Sequence, residues 1–354
     1  MAFLDNKRVL VTGGTGSLGK VLLKRLLGGS AGRPARITIF SRDEAKQHAL
    51  RTRYARQAVA TDDIVYRNFD DIVRFRIGDV RDFASVAAAV RDADVIFNAA
   101  ALKQVPTCEY FPHEAVLTNV GGPHNIVRAI RELDAPVQVV VGISTDKAVE
   151  PVNVMGMTKA IQERVFAGAN LDCPDTRFVL VRYGNVLASR GSVIPLFHEQ
   201  IRKGGPVTIT DPGMTRFLLT LEDAVDTVLA AVEHGARGET FIPRVPGALI
   251  TDVARVLVGD RPVATKVVGI RPGEKLHEVL VSQEEAARTR ARHGYYVIGP
   301  LLPDLRSAAD AAEPGIGRFC SSDDLLDLAG VRDLLARNRL LIGDVAEDED
   351  ELLR

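Results

Sequence analysis

The 354-residue chain predicts an α/β fold: a doubly wound parallel sheet followed by a smaller C-terminal lobe. Three observations lead there. Short, nearly continuous apolar runs alternate with helical stretches through the first half, as expected of a parallel sheet buried on both faces. A glycine-rich turn follows the first run and opens a helix. Residues suited to chemistry fall just after these runs, at the carboxyl ends of strands, where such sheets bind ligands.

The strand candidates are Arg8 to Thr12, Arg36 to Phe40, Val73 to Ile77, Val95 to Asn98, Val137 to Ile143 and Phe178 to Arg182. Arg56 to Phe69 breaks the rhythm and reads as an extended loop or an extra turn. After about Tyr183 the pattern loosens into loops such as Gly204-Gly205-Pro206 and Asp211-Pro212-Gly213, between short helices. This divides the chain into a nucleotide-binding unit over 1–183, a substrate lobe mainly over 184–340 and an acidic tail over 341–354. Segments near 215–235 are expected to return to the first unit.

Composition narrows the class of partner. The net charge is −1, so neither a nucleic-acid footprint nor a polybasic membrane surface is expected. Cys108, Cys173 and Cys320 are too few and too scattered for a zinc site or a disulfide framework, which predicts reduced thiols, a cytoplasmic setting and no metal. The N-terminus runs into a strand without a signal-peptide core. No stretch approaches the roughly 20 apolar residues of a membrane span. The Glu347-Asp348-Glu349-Asp350-Glu351 run reads as a solvated end, and there is no internal repeat.

Thr12 leads into Gly13-Gly14-Thr15-Gly16-Ser17-Leu18-Gly19 and a helix expected from Lys20. Glycines placed between a strand and a helix let backbone approach a pyrophosphate at the helix N-terminus, the Rossmann arrangement for a dinucleotide. The second strand ends at Ser41-Arg42, with Lys46 one turn later, where a carboxylate would hold an NAD ribose. A guanidinium suits a 2′-phosphate, so NADP is expected. Asp79 and Val80 follow the third strand, at the adenine end. Ala99 and Ala100 follow the fourth, and their small side chains leave room for the cofactor.

After the fifth strand come Ser144-Thr145-Asp146-Lys147 and then Asn153-Val154-Met155-Gly156-Met157-Thr158-Lys159. Together with the glycine loop, Lys159 resembles the nicotinamide-ribose lysine of extended short-chain dehydrogenases/reductases. In that family a tyrosine normally stands four residues before the lysine. Met155 occupies the place here, and a thioether cannot take a hydroxyl proton. More narrowly, Ala101-Leu102-Lys103-Gln104-Val105-Pro106, Ser144 to Ala148, Asn153 to Gly156, Arg182-Tyr183-Gly184-Asn185-Val186, Ser189 to Pro195 and Gly273-Glu274-Lys275 resemble the UDP-N-acetylglucosamine 4,6-dehydratases of polysaccharide biosynthesis. The capsular, methionine-bearing branch also shares Met214 to Phe217 and Leu221 to Val225, and it favours inversion at C5. Arg271 stands where that branch usually has histidine.

The resemblance implies NADP-dependent oxidation at sugar C4, loss of water across C5 and C6, and hydride return to C6. Lys147, if neutral, supplies the base at C5, and protonated Asp146 supplies the acid at C6, each needing a displaced pKa. The C4 proton goes to Lys147, or to Asp146 through Thr145, or to a bound water; Lys147 is preferred. Met155 packs against the sugar or the nicotinamide. The resemblance also implies Lys103, Arg182, Asn185, Arg190, Val193, Arg216 and Glu274 as contacts for a UDP-sugar, Asn119 as a brace of the active-site backbone, and a homo-oligomer. Two other readings stand beside the dehydratase: a C4 epimerase, for which the Asp146-Lys147 pair has no task, and a silent NADP-binding sensor, which leaves the substrate motifs unused.

Overall fold

A computed structural model of the chain describes residues 2–60, 69–187, 192–306 and 315–344. Six parallel strands form where expected: β1 Arg8–Thr12, β2 Arg36–Ser41, β3 Val73–Ile77, β4 Val95–Asn98, β5 Val139–Thr145 and β6 Arg177–Tyr183. Their order across the sheet is β3-β2-β1-β4-β5-β6. The order reverses between β1 and β4, which opens a crevice at their carboxyl ends.

The sheet continues past β6. Thr240–Pro243 adds in parallel, and Tyr295–Ile298 and Thr289–Arg292 follow antiparallel to close the edge, nine strands in all. Successive side chains of a strand point to opposite faces. Val9 and Val11 therefore pack on one face, with Leu22, Leu23 and Leu26 of helix α1 (Ser17–Leu27) and with Val225, Val228 and Val232 of the helix Leu221–His234. Leu10, Ile96 and Val140 pack on the other, with Val90, Ile126, Ile130 and Phe166. Within the stretch 215–235, the helix Leu221–His234 packs on the first core, whereas Thr215–Leu219 belongs to a separate three-stranded sheet. A separate core gathers Phe197, Ile201, Val253, Leu257, Val331 and Leu335.

The polar stretch from Arg56 does not begin a loop. The helix Glu44–Ala60 runs through its start, because a segment rich in Ala, Arg and Gln favours helix. Residues 61–68 lie outside the described residues, as does the acidic run after 344. A four-residue helix, Phe69–Ile72, then enters β3.

A buried charge network joins these parts. Arg182 on β6 is 3% exposed and donates to Glu163 at 2.7 Å, to Glu285 at 2.9 Å and to the carbonyl of Leu280. It was expected at the substrate and is not there: two carboxylates and a carbonyl consume its guanidinium inside the protein. Burial alone would raise Glu285, but the Arg182 charge beside it outweighs that and holds it down at about 2.

Replacing Arg182 by leucine leaves two buried carboxylates without their counter-ion and should cost about 3–5 kcal/mol, read as a lower denaturation midpoint. Acid should act similarly in the intact protein. The Glu285 pKa lies below its ordinary 4.5, so its stabilisation is complete above pH 4.5 and should fade as pH falls toward about 2.

Candidate active site

A cleft of about 1590 Å³ runs along the carboxyl ends of the strands. Its floor at one end is the glycine loop. Gly13 has φ +67°, and a Cβ there would meet the Ala100 nitrogen at 2.7 Å, so only glycine lets loop and β4 turn meet. Helix α1 starts at Ser17, three residues earlier than expected. Its Gly16 cap offers no side-chain acceptor and its first turn holds no acidic residue, leaving backbone N–H groups for an anion. Gly13, Gly16, Ser17, Leu18, Gly19, Val80, Ala99 and Ala100 line this end.

Ser41, Arg42 and Lys46 line it too. Arg42 lies 3.6 Å from Asp79, and Lys46 lies 2.6 Å from Asp43, the one carboxylate beside them on the wall. Two expected cofactor contacts turn away. The Thr12 hydroxyl is taken up by Asn98 at 2.8 Å and by the Ala100 N–H. Asp79 is absent from the wall because Arg81 holds it at 2.6 Å; burial opposes its ionisation, but this pairing outweighs it and keeps the carboxyl below its usual range.

At the other end β5 runs out into the turn Asp146–Ala148, and the helix Val154–Asp172 follows, capped by Asn153 through the Gly156 N–H. Helix and turn touch closely: a Cβ on Gly156 would lie 2.1 Å from the Lys147 carbonyl oxygen. This contact carries Met155 and Lys159 to the wall beside Thr145 and Lys147. Met155 is buried and packs with Cys108 and Ala115 as well as facing the cleft. Asn119 sits in a π-helical turn, Leu117–Gly121. It accepts from the Leu102 N–H at 2.8 Å, donates to the Leu102 carbonyl at 2.9 Å and donates to Thr158 at 3.0 Å. It braces the site as expected.

Asp146 is fully buried and off the wall. Its Oδ1 accepts from the Thr145 hydroxyl at 2.8 Å and from Lys147 Nζ at 3.0 Å. Its Oδ2 has no hydrogen-bond partner among the described residues. Direct delivery of a proton to a sugar from Asp146 is therefore not what the geometry offers. Lys147 also approaches Glu278 at 3.4 Å and donates to Asn185 Oδ1 at 3.3 Å. Burial lowers its pKa, yet Asp146 and Glu278 together outweigh burial and the opposing Arg216, so it is raised. The sequence predicted a neutral lysine; two carboxylates overturn that.

Lys159 behaves oppositely. Burial pulls its pKa from 10.5 to about 7, against a smaller opposing effect of Glu163. Its Nζ donates to the Ile143 carbonyl and, at 2.6 Å, to Gln162 Oε1.

Lys103, Asn185, Arg216 and Glu274 line the substrate end. Arg216 is mostly buried and grips the carbonyls of Lys275 and Leu276, the segment just after Glu274. Val193 does not reach the cleft; it packs against the third core at a helix start. Arg190 lies outside the described residues. Glu278 and Tyr183 are among the wall residues that the sequence did not single out. Glu278 follows the Gly273-Glu274-Lys275 motif without a telling spacing, and Tyr183 was quoted only as part of a motif. Burial raises the Tyr183 pKa, so its phenol stays neutral.

A doubly wound sheet with a glycine cradle, a lysine poised near neutrality and one cleft running on past both along the strand ends defines an enzyme of the nucleotide-sugar epimerase and dehydratase class. The chain belongs to the family of polysaccharide biosynthesis proteins, which it matches over residues 9–300. A relative from Rickettsia bellii (strain OSU 85-389), named UDP-glucose 4-epimerase, is 45% identical over 311 residues, 86% of each chain. The crystal structure of Pen from Bacillus thuringiensis is 32% identical and superposes with a TM-score of 0.84, covering 96% of this chain and all of that one. The fold is also shared by DesIV, a dTDP-glucose 4,6-dehydratase from Streptomyces venezuelae solved with NAD, at 21% identity and a TM-score of 0.67 over 94% of this chain and 98% of that one. Among the described residues no helix is long and apolar enough to cross a membrane.

Replacing Gly156 by alanine should force the helix off the Lys147 turn, at a cost of about 1–3 kcal/mol seen in thermal melting. Replacing Met155 by leucine conserves volume and should cost less than about 1.5 kcal/mol.

Proposed function

We propose that the protein is a 4,6-dehydratase of UDP-N-acetylglucosamine, inverting C5 and using NADP. The observation that carries this reading is the cluster around Lys147. Oxidation and re-reduction at C4, all that an epimerase needs, gives no task to an ammonium held at the wall between two buried carboxylates. Removing water across C5 and C6 does need an added acid and base.

The glycine loop, the free end of α1, Ala99 and Ala100 fit a dinucleotide, and Arg42 with Lys46 favours a 2′-phosphate. When bound, the nicotinamide takes hydride from C4 and returns it to C6. Lys159 receives the C4 hydroxyl proton: a neutral amine has two hydrogens, Ile143 and Gln162 accept both, and the lone pair remains for the substrate. Its pKa of about 7 matches the working range of a general base. Lys147, kept protonated, is the acid that releases the C6 hydroxyl as water. Thr145 and Asn185 orient it through Asp146 and directly. Lys103, Arg216 and Glu274 surround the UDP-sugar, with Met155 as apolar wall.

The name of the Rickettsia relative supports a second reading, C4 epimerisation of a UDP-sugar. Incubation with UDP-N-acetylglucosamine in heavy water, with NADP⁺ and NAD⁺ in parallel, separates the two. A 6-deoxy-4-keto sugar with deuterium at C5 is expected from NADP⁺; an unchanged mass with altered C4 would establish the epimerase instead.

Replacing Lys147 by glutamine should lower turnover by about 10²–10⁴-fold while deuterium still enters C5, as befits loss of an acid. Wild-type activity should rise with pH through about 7 as Lys159 loses its proton, measured as initial rate against pH.

A further inference from the structure

Glu278 stands at the wall of the cleft and is 2% exposed. Its backbone is pinned on both sides by Ser321, whose hydroxyl accepts from the Glu278 N–H at 3.0 Å and whose N–H donates to the Glu278 carbonyl at 2.8 Å. Oε1 lies 3.4 Å from Lys147 Nζ and 3.9 Å from Arg216 Nε. Oε2 is buried and has no hydrogen-bond partner among the described residues. A buried acceptor left unpaired is costly to a fold.

Asp146 also has one unpaired oxygen, but it has no surface on the cleft. Of the two carboxylates facing Lys147, only Glu278 can meet a substrate. Lys147 and Arg216 lie within 4 Å of its Oε1, at 3.4 Å and 3.9 Å.

We propose that Glu278 is the base that removes the C5 proton, with Lys147 as its paired acid. This rests on the dehydratase reading above. In the step, the C5–H bond breaks and its proton passes to the Glu278 carboxylate. The freed electron pair forms the C5–C6 double bond, and the C6–O bond breaks as the oxygen takes a proton from Lys147 and leaves as water. Once C6 is reduced, C5 takes a solvent proton on the face opposite Glu278, as inversion requires, and the glutamic acid gives up its own proton to solvent. The proton lost by the C4 hydroxyl restores the lysine pair. A neighbouring acid and base on one edge of the sugar suits removal of both groups from the same side.

The test uses full-length Glu278→Gln with UDP-N-acetylglucosamine and NADP⁺ in heavy water. Product formation should fall by at least about a hundredfold and C5 should stay undeuterated. Reduced nicotinamide, followed by its near-ultraviolet absorbance in a single turnover, should still form and then accumulate. Deuterium entering C5 at the wild-type rate would overturn the proposal, and so would equal loss of nicotinamide reduction, which marks a residue that only holds the site. If the glutamine variant fails to bind UDP, Glu278→Asp decides: C5 exchange slowed relative to nicotinamide reduction supports the base, and unchanged exchange refutes it. Wild-type protein that forms no 6-deoxy sugar would instead sink the dehydratase reading itself, and this inference with it.

Discussion

The Arg182 guanidinium is the point on which the rest of the architecture turns. It sits on β6, yet its partners come from the helix Val154–Asp172 and from the segment leading into Glu285. Glu163 in turn accepts from Ser144 at the end of β5. One buried cation therefore registers the reactive strand, the helix that bears Met155 and Lys159, and a part of the chain about 100 residues later. Such ion networks contribute little net stability, since desolvation consumes most of the attraction. What they fix is relative position, because any other arrangement strands a charge in the interior.

Within that frame the two lysines of the site are driven apart. Lys159 has mainly burial acting on it and is pulled toward neutrality. Lys147 is less enclosed, its side chain 22% exposed, and two carboxylates face it and hold its proton. Identical side chains are thus shifted in opposite directions by their surroundings. In the proposed mechanism an amine that titrates near neutral pH stands in for the tyrosine, and a buried methionine can fill its place.

The sheet was legible because nearly continuous apolar runs bounded by glycine and polar turns leave few other folds. β1, β3 and β4 fall on their expected limits, and the glycine loop needed no three-dimensional information. The failures share a cause: a strand end tells where a side chain is, not which way it points. Thr12, Asp79, Asp146 and Arg182 each lie at a strand end and each turns inward to a partner whose proximity arises only on folding. Glu278 was invisible for the complementary reason. It reaches the site from a strand of the lobe, Val279–Val281, whose approach depends on pairing with Phe319–Cys320.

The π-helical turn at Leu117–Gly121 acts as a tether. A π turn carries one residue more than the α-helix it interrupts, and the misfit is tolerated mostly at functional sites. Asn119 uses that extra residue to satisfy both backbone groups of Leu102, the residue beside Lys103, and to hold Thr158 on the reactive helix. Through that one side chain the segment before Lys103 and the helix that bears Lys159 move as a single piece, so the width of the cleft between them is set by a helix defect rather than by either wall.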